Sequence, residues 1–255
     1  MIFIAEPYRE SIRQIGFAAE MVFTDPAIKP WRVLEDRQNC TWDILLAGRN
    51  ARLHVKRFPP TRGKSPAELE AEGYRLLRDR GILTATVAAW GTMDDGRSFI
   101  ATEDLAGYSP ADKLLEAGLP FDHILVPTAD LASRLHSVGL HHRDLYLCHF
   151  MVPDPENGTP EIRLIDAARV RPLPGMLTRR RWIVKDLAQF WYSTLVMHIS
   201  ELQRHEWLRR YCKGNPLGDM ESLKKSIVRK AAAIETHDAK LRRRQPFRNI
   251  SIPKY

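Results

Sequence analysis

Cysteine is scarce in this chain of 255 residues. Cys40, Cys148 and Cys212 stand far apart and form no C-x-x-C pair. That spacing excludes a disulfide framework and fits a reducing compartment. Long apolar runs are missing as well: no stretch approaches the roughly 20 residues that a membrane-crossing helix needs. Met1 to Gln14 carries Glu6, Arg9, Glu10 and Arg13 instead of a cationic start followed by an apolar run, so no secretory leader is expected. Neither Gly-x-Gly-x-x-Gly nor a Walker lysine motif occurs. The turn between the first two expected strands reads Glu35-Asp36-Arg37-Gln38-Asn39, without glycine. Repeats and low-complexity segments are absent too. Acidic residues are lacking between Asp166 and Asp186, where Arg169, Arg171, Arg179, Arg180, Arg181 and Lys185 stand. These absences speak against a small stapled secreted domain and against a membrane-crossing helix. The expectation is a soluble, cytoplasmic protein.

What is present is an ordinary globular composition, 44% hydrophobic and 27% charged, with a formal net charge of +8. A chain of this length fits one large domain or two lobes and buries a core without staples. The basic balance draws anionic partners, and the charge is clustered rather than spread.

Short, partly alternating segments at Trp31–Leu34, Thr41–Leu46 and Arg52–Phe58 read as an antiparallel meander, with Gly48-Arg49-Asn50 as the last turn. A helical lead-in is expected before them, around Ile12 to Phe23. Ser65-Pro66-Ala67-Glu68 opens a helix: Ser as cap, Pro in the first turn, Glu three residues on. It runs to Asp79 and stops at Gly81. Two more strands follow, Thr86–Trp90 and Ser98–Thr102, and then a hinge at Glu103–Gly107. Beyond it the pattern turns helical: Phe121–Val138 (with Pro127 as a kink or as the true first turn), 183–212 and 219–243, with a short strand at Ile162–Ile165. This is an α+β plan of two lobes. Residues 1–104 form the N-lobe, a small antiparallel sheet with one helix after the lead-in, and 105–255 form the larger, mainly helical C-lobe. Ligand sites favour such interfaces, so a nucleotide is expected there.

The chemistry concentrates in His141-His142-Arg143-Asp144-Leu145-Tyr146-Leu147-Cys148-His149-Phe150 and in Leu164-Ile165-Asp166. In the kinase signature, His-Arg-Asp is followed by four residues and Asn. Here the register holds and His149 stands at the Asn position. Asp144 is placed to accept the proton of an acceptor hydroxyl, and Asp166 to hold a divalent cation on a triphosphate. The plainer reading of Asp144 is a turn residue paired with Arg143. A hard cation prefers oxygen, so His149 has three open roles: metal ligand, phosphate partner or loop brace. A zinc site from His141, His142, Cys148 and His149 lacks the usual spacers.

Lys56, late in the third strand, suits a phosphate-binding lysine if a helix carboxylate holds it. Glu70 is the first choice, because it borders the inward stripe of its helix with Tyr74 and Leu77; Glu72 is the alternative. The backbone near Glu103 and Leu105 is where a kinase-like fold would meet an adenine. Arg143, Arg169, Arg179, Arg180 and Arg181 suit an acceptor bearing phosphates or carboxylates. Asp186 is expected to be structural, bracing the catalytic loop. The basic stretch Lys224–Arg248 suits either an anionic membrane face or plain solvation.

His54-Val55-Lys56-Arg57-Phe58, Ala101-Thr102-Glu103-Asp104-Leu105, the loop from His142 to Phe150, and Leu164-Ile165-Asp166 together resemble the lipopolysaccharide kinases that phosphorylate Kdo or heptose, the Kdo/WaaP family. The resemblance runs from about residue 30 to residue 192. It implies a protein-kinase-like fold, ATP with Mg²⁺, and a sugar hydroxyl as acceptor. It also implies Lys56 with Glu70 as the phosphate-holding pair, Asp144 as base, Asp166 as metal ligand, and a histidine at position 149. The partners implied are ATP and an anionic glycolipid or sugar, with peripheral contact at the cytoplasmic face of the inner membrane and no nucleic acid. Two rivals stand beside it. One is a small unregulated protein kinase. The other is a non-catalytic kinase-like module that binds an anionic glycolipid or partner.

Overall fold

The computed structural model describes residues 1–14, 18–46, 48–154, 160–215 and 218–244. It divides into two units, Met1–Arg75 with Thr84–Ala106, and Leu76–Leu83 with the chain from Gly107 on. In the first unit the elements are β1 (Ile2–Ile4), α1 (Glu6–Gln14), α2 (Met21–Thr24), β2 (Lys29–Val33), β3 (Gln38–Leu46), β4 (Arg49–Phe58), the larger part of α3 (Pro66–Asp79, whose residues from Leu76 on belong to the second unit), β5 (Val87–Thr92) and β6 (Ser98–Glu103). The strands form one sheet in the order β1-β5-β6-β4-β3-β2, and every neighbouring pair is antiparallel.

Period-two burial explains this sheet. Cys40, Trp42 and Ile44 on β3 and Leu53 and Val55 on β4 are buried, and they pack with Tyr8, Ile12, Val22 and Phe99 in one core. Lys56 follows Val55 and so points to the opposite face. Helix α3 is capped as its sequence implies, with Glu68 N–H donating to Ser65 Oγ at 3.2 Å.

Three expectations for this unit need correction. The lead-in is not one helix over 12–23: α1 and α2 are separate, and residues 15–17 lie outside the described residues. The strand β1 was missed because three residues carry no readable period; its pairing with β5 is tertiary. The expected turn at Gly48-Arg49-Asn50 is not all turn: Arg49 and Asn50 already pair with Leu46 and Leu45 in the sheet.

The second unit holds β7 (Tyr108–Pro110), α4 (Ala111–Glu116), α5 (Asp122–Ser137), β8 (Leu140–His141), β9 (Phe150–Pro153), β10 (Arg163–Leu164), β11 (Arg171–Pro172), α6 (Met176–Val196), α7 (Glu201–Gly214) and α8 (Met220–Arg244). Aromatic packing organises it. Phe190 stacks on Trp207 at 4.1 Å, and Trp207 stacks on Tyr211 at 5.9 Å. The Trp207 indole N–H donates to Thr128 Oγ1 at 2.9 Å, which satisfies the one polar atom of that side chain. Pro127 lies inside α5, which starts at Asp122, so it does not mark the first turn.

The expected helix over 183–212 is two helices. His198 takes a positive φ of 54°, and Ser200 opens α7 with a reciprocal capping box to Gln203. Ser200→Ala should therefore cost about 1 kcal/mol, read as a lower urea midpoint, while Ser200→Asp keeps the cap and most of the stability.

Candidate active site

Helix α3 buries Ala67, Glu70, Tyr74 and Leu77 along one stripe. A carboxylate in that stripe needs a cation, since an unpaired buried charge is costly. Lys56 supplies it: Nζ lies 2.7 Å from Glu70 Oε1, and Glu70 is 1% exposed. Glu72 instead lies toward solvent, 3.6 Å from Lys64. Both members of the Lys56–Glu70 pair belong to the first unit.

In the second unit, the loop after β8 is held from α6. Asp186, Gln189 and Ser193 fall on one face of that helix at three- and four-residue spacing. His142 N–H and Arg143 N–H donate to the Asp186 carboxylate at 2.6 and 2.7 Å. Leu145 N–H donates to Gln189 Oε1 at 3.1 Å, and Leu147 N–H to Ser193 Oγ at 3.2 Å. Gln189 Nε2 returns a bond to the Arg143 carbonyl at 3.0 Å. Arg143 sits at φ 67°, a left-handed conformation that a long side chain rarely adopts, and it turns two successive N–H groups toward one carboxylate. The expected bracing by Asp186 is thus visible in its bonds. Gln189 and Ser193 were not anticipated; their signal was a polar i, i+3, i+7 stripe in an otherwise apolar helix.

The Asp186 carboxylate is fully buried and lies 3.3 Å from His136 Nε2, whose Nδ1 is 2.8 Å from the Tyr211 hydroxyl. Burial pushes the Asp186 pKa up, but the His136 hydrogen bond and charge, with the His142 N–H, outweigh it and hold the carboxyl below its usual range. His142 is driven the other way: burial, then the neighbouring His149, keep its pKa low. Its Nε2–H donates to the Ile165 carbonyl at 3.1 Å, tying the loop to the chain ahead of Asp166.

Strand pairing brings the acidic residues together. Phe150 pairs with Leu164 and Met151 with Arg163, and Ile165 N–H donates to the His149 carbonyl at 3.1 Å. That register puts Asp166 beside His149, with His149 Nε2 3.5 Å from Asp166 Oδ2. Asp166 sits in the left-handed region at φ 60°. Asp144, His149 and Asp166 each offer one ligand atom, all within 4.8 Å of one another. His149 Nδ1 donates to the Asp144 carbonyl at 2.6 Å, which leaves Nε2 facing the carboxylates. A second nitrogen tied to a backbone carbonyl is the usual support for a metal-binding imidazole. Burial opposes a charged His149, but Cys148, Asp166 and Asp144 outweigh it and push its pKa well up. The two carboxylates offer the oxygen atoms that a hard divalent cation such as Mg²⁺ prefers, and the His149 imidazole would be the poorer third donor.

The cations expected to bind an acceptor separate in space. Arg143 lies over the Trp182 ring at 4.7 Å, and Arg181 at 6.0 Å from it. Arg169 is exposed on a 3-10 turn at Ala167–Arg169. Arg180 reaches Ser222 at 3.3 Å. Arg179 is not gathered with them; its guanidinium donates to the His136 carbonyl at 3.0 Å. The expected basic loop is also helical from Met176, because α6 extends ahead of its apolar part. Trp182, the ring over which Arg143 and Arg181 lie, was not anticipated. In the first unit, the Glu103 carboxylate accepts from the Tyr8 hydroxyl at 2.9 Å. Its own N–H donates to Thr86, and Asp104 N–H to Arg52, each at 2.9 Å. Leu105, half-buried, follows directly.

Residues 57–211 match the model of the lipopolysaccharide kinase (Kdo/WaaP) family. The matched stretch starts one residue after Lys56 and contains Glu70, Asp144, His149, Asp166 and Asp186. Lipopolysaccharide core heptose(I) kinase WaaP of Pseudomonas aeruginosa is 30% identical over 165 residues, covering 57% of this chain and 59% of that protein. An Escherichia coli protein of the same name is 30% identical over 194 residues, covering 67% of this chain and 68% of its own length. Its Escherichia coli K12 counterpart is 30% identical over 188 residues, 65% and 67% of the two chains. The match to the Pseudomonas protein thus spans about three fifths of that relative's length.

Proposed function

This chain belongs to the lipopolysaccharide kinase (Kdo/WaaP) family, and on that premise we propose that it transfers the γ-phosphoryl group of ATP to a hydroxyl of an inner-core sugar, Kdo or heptose. Heptose is favoured by the names of the relatives. The observation that carries the reading is the gathering of Asp144, His149 and Asp166 within 4.8 Å.

Asp144 accepts the hydroxyl proton as the acceptor oxygen bonds to the γ-phosphorus. The bond to the β,γ-bridging oxygen breaks, and ADP leaves with its electron pair. Asp166 and His149 Nε2 would hold Mg²⁺, which when bound neutralises phosphate charge. Lys56, pinned by Glu70, pairs with α/β-phosphate oxygens. The backbone at Glu103 and Leu105 meets the adenine. Arg143, Arg169, Arg180 and Arg181 hold an anionic acceptor; Arg179 is spent on a backbone carbonyl and drops out. No helix among the described residues is long and apolar enough to cross a membrane. The basic end of α8, Arg242 to Arg244, suits peripheral contact with the anionic cytoplasmic face of the inner membrane.

Incubation with labelled ATP, Mg²⁺ and a panel of Kdo- and heptose-bearing lipid A acceptors tests this. Label is expected on a heptose-bearing acceptor. Label on peptides alone would make the chain a protein kinase and sink the proposal.

A further inference from the structure

Helices α6 and α8 flank an open cleft of about 580 Å³ whose wall is cationic. Arg180, Arg181 and Lys185 come from α6, and Ser226, Arg229 and Lys230 from α8; no carboxylate lines it. The α8 residues recur at three- and four-residue spacing, so one helix face presents them. Two other cations of α8 have carboxylate partners: Lys224 pairs with Glu201 at 3.1 Å and Arg242 with Asp238 at 2.8 Å. Among the described residues, Arg181, Lys185, Arg229 and Lys230 have no such partner.

We propose that this cleft binds a phosphate monoester that the sugar acceptor already carries, separate from the hydroxyl that receives the new phosphoryl group. The inference rests on the sugar-kinase reading. It adds α8 to the recognition of the acceptor and makes prior phosphorylation part of what is recognised.

Five physical points support it. Guanidinium forks match phosphate oxygens two at a time, and three arginines are available. Five cations in one wall exceed what a single carboxylate neutralises, whereas a phosphate monoester brings about 1.5 to 2 negative charges. Lys185 is half-buried, and burial first, then Arg143 and Arg169, hold its pKa below the ordinary lysine value. An anion would relieve that repulsion. The cleft also adjoins the catalytic loop: Trp182 on its wall lies 4.7 Å from the guanidinium of Arg143, the residue before Asp144. A cavity of this size falls within the range that takes small-molecule ligands, about 300–1,000 Å³.

The test is the double variant Arg229→Glu/Lys230→Glu, with Arg229→Ala/Lys230→Ala as the milder pair; both residues are exposed. The first measurement, independent of turnover, is calorimetric binding of a bisphosphorylated glucosamine disaccharide without acyl chains. The unaltered protein should bind it, and the double Glu variant at least tenfold more weakly. The second is kinetic. The preference in kcat/KM for a phosphorylated acceptor over the same acceptor after phosphatase treatment should fall at least tenfold, through KM, with the KM for ATP unmoved. An unaltered preference overturns the proposal, as does failure of the disaccharide to bind. Binding to phosphatidylglycerol vesicles in place of the disaccharide also overturns it. If no acceptor on the panel is phosphorylated while the disaccharide still binds through Arg229 and Lys230, the cleft stands and the kinase reading falls.

Discussion

Asp144→Asn is expected to lower turnover by about 10²–10⁴-fold, the usual contribution of a positioned general base. The exchange is chosen to remove only proton affinity. Asparagine keeps the size of the side chain and an oxygen for Gln189 Nε2, now 3.5 Å away. The main-chain carbonyl that accepts from His149 Nδ1 is untouched. The loop itself is held by Asp186, Gln189 and Ser193 through backbone N–H groups. Stability should therefore change by less than about 1 kcal/mol, a shift of about 2–4 °C or less for a chain of this size. The measurement is steady-state phosphorylation of the best acceptor beside thermal unfolding of the same samples. Turnover above a tenth of the unaltered protein, with the fold intact, would remove Asp144 from proton transfer. Asp166→Asn makes the contrast, since it should raise the Mg²⁺ concentration needed for half-maximal rate, which Asp144→Asn should alter less.

Local signals carried much of this fold. The Ser65 cap, the stop at Gly81 and the alternation through β3 and β4 are properties of a few adjacent residues, and the structure keeps them. The pairing of Lys56 with Glu70 was half legible. The stripe on α3 named Glu70 over Glu72, but only burial makes the pairing obligatory. Readings failed where a signal was short or depended on distant partners. Three residues of β1 have no period, and their strand exists because β5 offers an edge. The break between α6 and α7 was present in the sequence as Ser200-x-x-Gln203, yet apolar residues on both sides masked it. Arg179 looked like its neighbours Arg180 and Arg181, and helical phase alone turns it to the His136 carbonyl. The polar stripe of Gln189 and Ser193 became meaningful only once the loop it holds was in view.

Asp186→Ala is expected to cost about 3–5 kcal/mol, the range for breaking a buried charged network by removing one member. Against a total stability of roughly 5–15 kcal/mol that is a large share. The loss has identifiable sources. Two backbone N–H groups, of His142 and Arg143, lose acceptors at 2.6 and 2.7 Å, and each orphaned buried donor costs about 1–3 kcal/mol. His136, fully buried between Asp186 and Tyr211, loses the partner of its Nε2. The left-handed turn at Arg143 also loses the carboxylate that repays its strain. Turnover should fall with stability, because Asp144 follows directly on that turn. Urea unfolding near neutral pH is the measurement, and a loss below about 1 kcal/mol would show that the carboxylate does not brace the loop. Acid gives an independent check. The Asp186 pKa is depressed in the folded protein, so its contribution is present above the ordinary carboxylate pKa and is lost as pH falls through the lower folded value. The stability gap between the unaltered protein and Asp186→Ala should therefore narrow toward low pH, while a purely steric role for the side chain would leave it constant.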